Sequence, residues 1–369
     1  MKKNFTLLFL AFATLVFAQA GAPATPYYNG FDWTLTGMNL KNALSAKVIA
    51  KHTNFLSYNE VWDATQITDL DPTDATNTNV LLLYGFSSTI CPSSTSDDKD
   101  HRRRSKFSTG GGTSCEWNRE HVYAKSLGTP ALDDGGSSDA GEDAHHLRAS
   151  DVDRNNDRGS EKFTAGSGNS GSVSSTTWYP GDEWKGDVAR MMMYMYLRYP
   201  TQCLPVNVGT GATVAIDPNM IQLFLQWNAE DPVSQYEDNR NTYHGNTANT
   251  FAQGNRNPFI DNPYLATLIW GGPVAENRWP STILSSEDFV SIENAFIYPN
   301  PAINNEVTIT SDVELKSIVL YNINGQIIQE IKNPTRVDNS YKLNNLSSGF
   351  YIVQMASENA IATKKLIVN

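Results

Sequence analysis

Hydrophobic positions follow two regimes that change over near residue 285. Before it, apolar residues recur at helical spacing. In "DEWKGDVARMMMYMYLRYP", Val188, Met191, Met192, Met195 and Tyr199 mark the stripe of a packed helix, with Asp182 as the expected cap and Pro200 as the stop. The methionines read as core packing rather than as a pliable binding surface. "DPNMIQLFLQW", "DPVSQYEDNRN" and "NPYLATLIW" each open on a capping residue followed by proline: Asp217–Pro218, Asp231–Pro232 and Asn262–Pro263. Leu40, Ala43, Leu44, Lys47 and Val48 predict an earlier helix. From about Ala295 the pattern shortens to alternating runs, "VTIT", "SIVLYNI", "QIIQEI", "YKLNNL", "FYIVQMA" and "TKKLIVN". Asn324-Gly325 between two of them is a strong hairpin signal. The expectation is an α+β chain: a mostly helical domain over residues 21–285, a linker over 286–294, and a small all-β sandwich over 295–369.

Residues 1–20 have the makings of a secretory signal peptide. Lys2 and Lys3 precede an apolar run from Leu7 to Phe17, and small residues follow at Ala18 and Ala20. The run is too short to span a bilayer, so no stable membrane insertion is expected. The net charge of −11 means that a polyanion is not gathered by overall charge. The densest basic run, "HRRRSK" from His101 to Lys106, is either a phosphate-steering patch or a solvated loop. Among three cysteines, Cys91 and Cys115 flank a polar, Gly-rich loop that a disulfide would close, and Cys203 follows a helix and reads as buried.

Strand signals in the larger part cluster around "CEWNREHVYAKS", which sets Glu120 beside His121. A second polar cluster, "DAHHLRASDVDRNNDRGS", follows. Its start, Asp143 to Arg148, reads as a strand with Asp143 and His145 on one face. Ser150 is the expected cap of a short helix, with Asp153 in a capping-box position. Asn155 and Arg158 share a helical face, and Gly159 ends the helix. Glu120 and Asn155 offer hard oxygen ligands of the kind that suit one magnesium, manganese or calcium ion. His121 is of a type that takes a proton from attacking water near neutral pH. Arg158 or Arg148 is a candidate for holding a phosphate oxygen.

These stretches resemble the endonuclease I family of secreted, nonspecific nucleases with a ββα-metal site. The resemblance is carried by "NREHVYAKS", "DAHHLRASDVDRNNDRG", "DVARMMMYMYLRYP", "DPVSQYEDNRN" and "GNRNPFIDNP". It implies that His121 is the general base, that Glu120 and Asn155 ligate the metal, and that Asn118, Arg119, Asp143 and His145 support the site. Two features depart from some relatives: no Arg lies between Lys125 and Arg148, and Gly141 stands where a Glu is found. The C-terminal part resembles the type IX secretion sorting domain, through "YPNP" at Tyr298 to Pro301, "LSSGFYIVQM" and the terminal "KKLIVN". The implied protein is a secreted, monomeric endonuclease that hydrolyses DNA with little sequence preference and leaves 5′-phosphate ends, with RNA left open as a second substrate. Its second partner is the type IX machinery. The competing expectation is an adhesin or glycan-binding protein that shares the same tail.

Overall fold

The computed structural model describes residues 21–85, 102–113, 115–136, 140–283, 295–311, 313–357 and 361–369. Residues 1–20, Cys91, His101 and the expected linker lie outside them. The described residues form two compact units, one up to Ile283 and one in the C-terminal part. No helix among them is long and apolar enough to cross a membrane.

Four helices frame the larger unit: α1 (Gly37–Lys51), α2 (Tyr58–Thr68), α3 (Val152–Arg158) and α4 (Lys185–Arg198). The α1 helix buries Leu40, Leu44 and Val48, the stripe its spacing predicts. The α4 helix is the axis of the unit, since every residue from Gly186 to Leu197 is buried. Met191, Met192, Met193 and Met195 all lie in the main hydrophobic core, where flexible thioethers fill irregular gaps.

The expected caps moved, for reasons visible in the polar contacts. Asp182 does not cap α4; it accepts the Gly168 N–H at 2.8 Å and the Tyr179 hydroxyl. Asp217 does not open a helix. It begins the strand Asp217–Ile221, and the helix runs from Gln222 to Glu230. The Asp217 carboxylate is buried, accepting from Lys41 Nζ at 2.9 Å, the Tyr196 hydroxyl at 2.9 Å and the Trp270 indole at 3.0 Å. Three donors from three different helices outweigh a local cap. Asp231 binds the Gly186 N–H, and Ser234 caps the helix Gln235–Gly245 through a capping box with Glu237. Asn262 stands one residue before the cap position, which Pro263 takes, and its side chain accepts the Tyr264 N–H at 3.3 Å.

Short strands are more numerous here than the sequence suggests. Those that matter for the site are β1 (Asn79–Leu81), β2 (Arg103–Ser105), β3 (Trp117–His121) and β4 (Leu147–Asp151). Part of the basic tract, Arg103 and Arg104, is strand rather than solvated loop. Arg103 and Arg104 lie on β2, paired with β1. Arg104 is buried against Asp151 at 2.6 Å, Arg103 lies 3.3 Å from Asp71, and Arg102 pairs with Glu183. Cys115 is disulfide-bonded, and Cys203 is a buried thiol.

The C-terminal unit is all β, but it is one curled sheet rather than two stacked sheets. Its strands run Ile327–Lys332, Ser317–Asn322, Gly349–Ala356, Ile361–Val368, Phe296–Ile303, Glu306–Thr310, Ser340–Leu343, each paired with the next. The strand Phe296–Ile303 joins both halves. It pairs antiparallel with Glu306–Thr310 and parallel with the last strand, through Ala302 and Val368. The sheet curls around its own core of Val307, Ile309, Leu320, Val353 and Leu366. The Asn324-Gly325 hairpin forms as expected, with Gly325 at φ 77°.

Candidate active site

The strands β3 and β4 pair antiparallel, with Glu120 opposite Arg148 and His121 opposite Leu147. The chain then turns from β4 directly into α3. Asp151 caps that helix, accepting the N–H of Asp153 at 3.0 Å and of Arg154 at 3.2 Å. The expected strand over 143–148 thus lies four residues later, and Ser150 is a buried strand residue whose hydroxyl donates to the Leu83 carbonyl. Gly159 ends the helix at φ 51°.

Alternation along β3 sends Asn118 and Glu120 to one face and Arg119 and His121 to the other. The α3 helix covers the first face. Its three-residue spacing matches the two-residue spacing of the strand: Asn155 Nδ2 donates to Asn118 Oδ1 at 2.7 Å, and Arg158 Nη1 lies 3.1 Å from Glu120 Oε1. The Tyr84 hydroxyl donates to the same Glu120 oxygen at 2.8 Å. Tyr84 is a residue the sequence reading missed. It sits at φ 72°, a left-handed conformation that a bulky side chain adopts only under constraint, and Ser170 Oγ holds its carbonyl at 2.6 Å. Burial pushes the Glu120 carboxyl up to about 7, while Arg158 and the Tyr84 hydroxyl pull the other way.

On the opposite face, His121 is half-buried. Its Nε2 lies 2.9 Å from the carbonyl oxygen of Gly141. A carbonyl only accepts, so Nε2 carries the proton and the neutral ring presents Nδ1 as its basic atom. Burial lowers the imidazole to about 3, with His146 adding to the effect. Gly141 was noted in the sequence only as a departure from relatives. Its Cα is packed so closely on the backbone of Asp133 that a Cβ has no room. The missing side chain is what lets this carbonyl reach the imidazole.

Asp143 and His145 are brought together, though in a turn rather than on a strand. Asp143 is buried and accepts four hydrogen bonds: from the His145 N–H at 2.9 Å, Gln253 Nε2 at 3.0 Å, the Tyr194 hydroxyl at 2.8 Å and the Tyr199 hydroxyl at 3.1 Å. His145 Nε2 faces the Asn255 carbonyl at 3.2 Å. This knot ties the 140–146 loop to α4.

Neither candidate phosphate arginine is open. Arg148 is buried, with Nε on the Tyr236 hydroxyl at 2.9 Å and Nη1 3.2 Å from Asp187. Arg158 donates to Glu120 and to the carbonyls of His121 and Val122, both at 3.0 Å. It clamps α3 onto the end of β3. Arg119 lies over the rings of Tyr58 and Trp62.

Among the described residues, no group of three or more His, Cys, Asp or Glu forms a metal cage. Among the described residues, the contacts above engage Glu120 Oε1 and Asn155 Nδ2 and not Glu120 Oε2 or Asn155 Oδ1. One carboxylate and one amide oxygen fit a hard cation that keeps most of its water.

Residues 36–264 match the model of the Endonuclease I family, and residues 296–369 match that of a secretion system C-terminal sorting domain. An extracellular ribonuclease of Bacillus subtilis (strain 168) is 40% identical over 265 residues, covering 68% of this chain and 82% of its own. An extracellular ribonuclease of Bacillus amyloliquefaciens is 38% identical over 244 residues, covering 64% and 75%. The sorting domain together with these extracellular relatives puts the protein outside the cell or on its surface. The family match spans the two strands, the helix and the knot behind them, and by it the chain is a nuclease that belongs to the endonuclease I family.

Proposed function

We propose that this protein is a metal-dependent endonuclease that hydrolyses phosphodiester bonds in both DNA and RNA, with β3, β4 and α3 as a ββα-metal core. The observation that carries the reading is the His121–Gly141 contact, 2.9 Å from Nε2 to the carbonyl oxygen, which leaves Nδ1 unprotonated at the end of β3, next in the chain to the Glu120 carboxylate. His121 Nδ1 takes a proton from the attacking water, and the imidazolium keeps its Nε2–H on Gly141 throughout. Glu120 and Asn155 hold the divalent ion, magnesium, manganese or calcium. When bound, it stabilises charge on the phosphate and on the departing 3′ oxygen. Arg158 and Tyr84 fix the Glu120 carboxylate by one oxygen and leave the other for the ion.

Water attack needs no 2′-hydroxyl, so ribose and deoxyribose are both accepted. The relatives named as ribonucleases support the RNA arm. Signal-peptide export followed by the type IX machinery carries the enzyme outward, where it acts as a monomer. The test is end-group analysis of matched DNA and RNA oligonucleotides digested with Mg2+ and with EDTA. We expect 5′-phosphate and 3′-hydroxyl ends on both, and no product with EDTA. His121→Ala should lower the rate by about 10² to 10⁴. Cyclic 2′,3′-phosphate ends on RNA with intact DNA would overturn the reading.

A further inference from the structure

Arg119 and His121 are two residues apart on β3 and so project from the same face, roughly 7 Å apart along the strand. That gap is the thickness of one aromatic ring with a contact on each side. The ring of Tyr58 fills it. The Arg119 guanidinium carbon lies 3.4 Å from the Tyr58 ring centroid. The His121 and Tyr58 rings stack on the other side, with centroids 5.5 Å apart and planes 27° apart. Trp62, one turn on in α2, backs Arg119 at 4.2 Å. The order along the column is Trp62, Arg119, Tyr58, His121.

The column is anchored at both ends. Tyr58 is the first residue of α2, and the capping box of Ser57 and Glu60 fixes that start, with Ser57 N–H on Glu60 Oε2 at 2.7 Å and Glu60 N–H on Ser57 Oγ at 3.3 Å. Arg119 Nη1 also donates to the Tyr58 carbonyl. At the far end, Gly141 holds His121 Nε2. A hydrogen bond at one ring nitrogen fixes a direction but leaves the ring free to swing about it. A stacked face removes that freedom.

We propose that Tyr58 is a positioning residue for the nuclease reaction: stacked between Arg119 and His121, it sets the plane of the imidazole so that Nδ1 points at the attacking water. The inference rests on the reading of His121 as general base. Arg119 would then support the site through Tyr58. The guanidinium closes the outer face of Tyr58 and holds its carbonyl, keeping the ring upright against the imidazole.

The experiment uses the full chain and compares Tyr58→Phe, Tyr58→Leu and Tyr58→Ala with wild type and His121→Ala on one oligonucleotide substrate. Phe keeps the stack and should retain kcat. Leu keeps apolar bulk but no ring face and, like Ala, should lose about 10-fold or more in kcat, with KM within about twofold of wild type. In a 1H–13C spectrum, the His121 Cε1–H resonance should move in Leu and Ala as the ring current is lost, and stay in Phe. Wild-type kcat in Leu and Ala, or loss in Phe equal to that in Ala, would overturn the proposal. So would an unmoved His121 resonance in Leu. An active His121→Ala enzyme would instead remove the base assignment itself, so the two failures are distinguishable.

Discussion

His121 and Gly141 meet across twenty residues of chain, ring Nε2 to carbonyl oxygen, at 2.9 Å. A residue without a side chain decides which nitrogen of the base is free. Gly141 is held by the backbone of Asp133, which leaves no space for a Cβ. Gly141→Ala must therefore push the 140–142 turn away from Asp133 and take its carbonyl with it. The expected outcome is a stability loss of about 1 to 3 kcal/mol, as for overpacking generally. The kcat loss should be larger than Tm alone explains, because the tautomer of His121 loses its anchor. Wild-type kcat in a folded Gly141→Ala enzyme would contradict this.

The oxygens of Glu120 and Asn155 can be tested as cation ligands without turnover. A cation that binds only the folded state raises stability by about 2.7 kcal/mol at a concentration 100 times its Kd. Wild type should show a higher Tm with Mg2+ or Mn2+ than with EDTA. Asn155→Ala should lose that shift while keeping its Tm in EDTA near that of wild type, since the hydrogen bond it removes is to half-buried Asn118. Glu120→Gln should lose the shift and also fall in stability, by about 3 to 5 kcal/mol, because Arg158 is left buried without its carboxylate. A metal-induced shift that survives both substitutions would place the ion elsewhere.

Part of the candidate site's geometry is legible in the sequence because it is local. Glu120-His121 and Asn155–Arg158 lie in short segments whose spacing already fixes which residues share a face. The strand over 143–148 was misplaced because alternation cannot distinguish a strand from a turn whose polar groups find distant partners. Asp143 is held by Tyr194, Tyr199 and Gln253, all far along the chain. Tyr84, Tyr58 and Gly141 left no trace in any local pattern, since their roles come from contacts over twenty residues or more. Two caps failed for the same reason, Asp217 and Asp231 being drawn off by donors distant in the chain, whereas Asp182 is held by the nearby Gly168 N–H and Tyr179 hydroxyl. The sheet of the C-terminal unit was legible strand by strand, but its closure depends on the one parallel pairing of Ala302 with Val368, which no turn signal announces.

Every residue of the candidate site lies before residue 160, inside the unit that ends at Ile283, and the C-terminal sheet has its own core. A chain ending at residue 285 should therefore keep the kcat of the full-length protein on oligonucleotide. In the native host it should stay inside the cell envelope. Circular dichroism establishes that the shortened chain is folded, and a folded but inactive product would mean that the sheet contributes to the site.

Asp231 offers a pH test away from the metal and the base. Its Oδ2 accepts the Gly186 N–H at 2.8 Å, at the start of α4, and its carbonyl accepts Arg190 Nη1 at 2.7 Å. Burial pushes the carboxyl up to about 6, although the Gly186 hydrogen bond and Arg190 oppose it. In the unfolded chain the value is about 3.9. The folded state thus binds this proton more tightly, and folding gains from it. The gain is complete below about pH 4 and is lost as pH rises through about 6. Asp231→Asn keeps an acceptor for Gly186 and removes the titration. Its Tm relative to wild type should improve steadily from pH 4 to pH 7 and level off above that. A difference that is flat over this window, or that moves the opposite way, would show that the carboxylate is stabilised in place by Arg190 rather than penalised by burial.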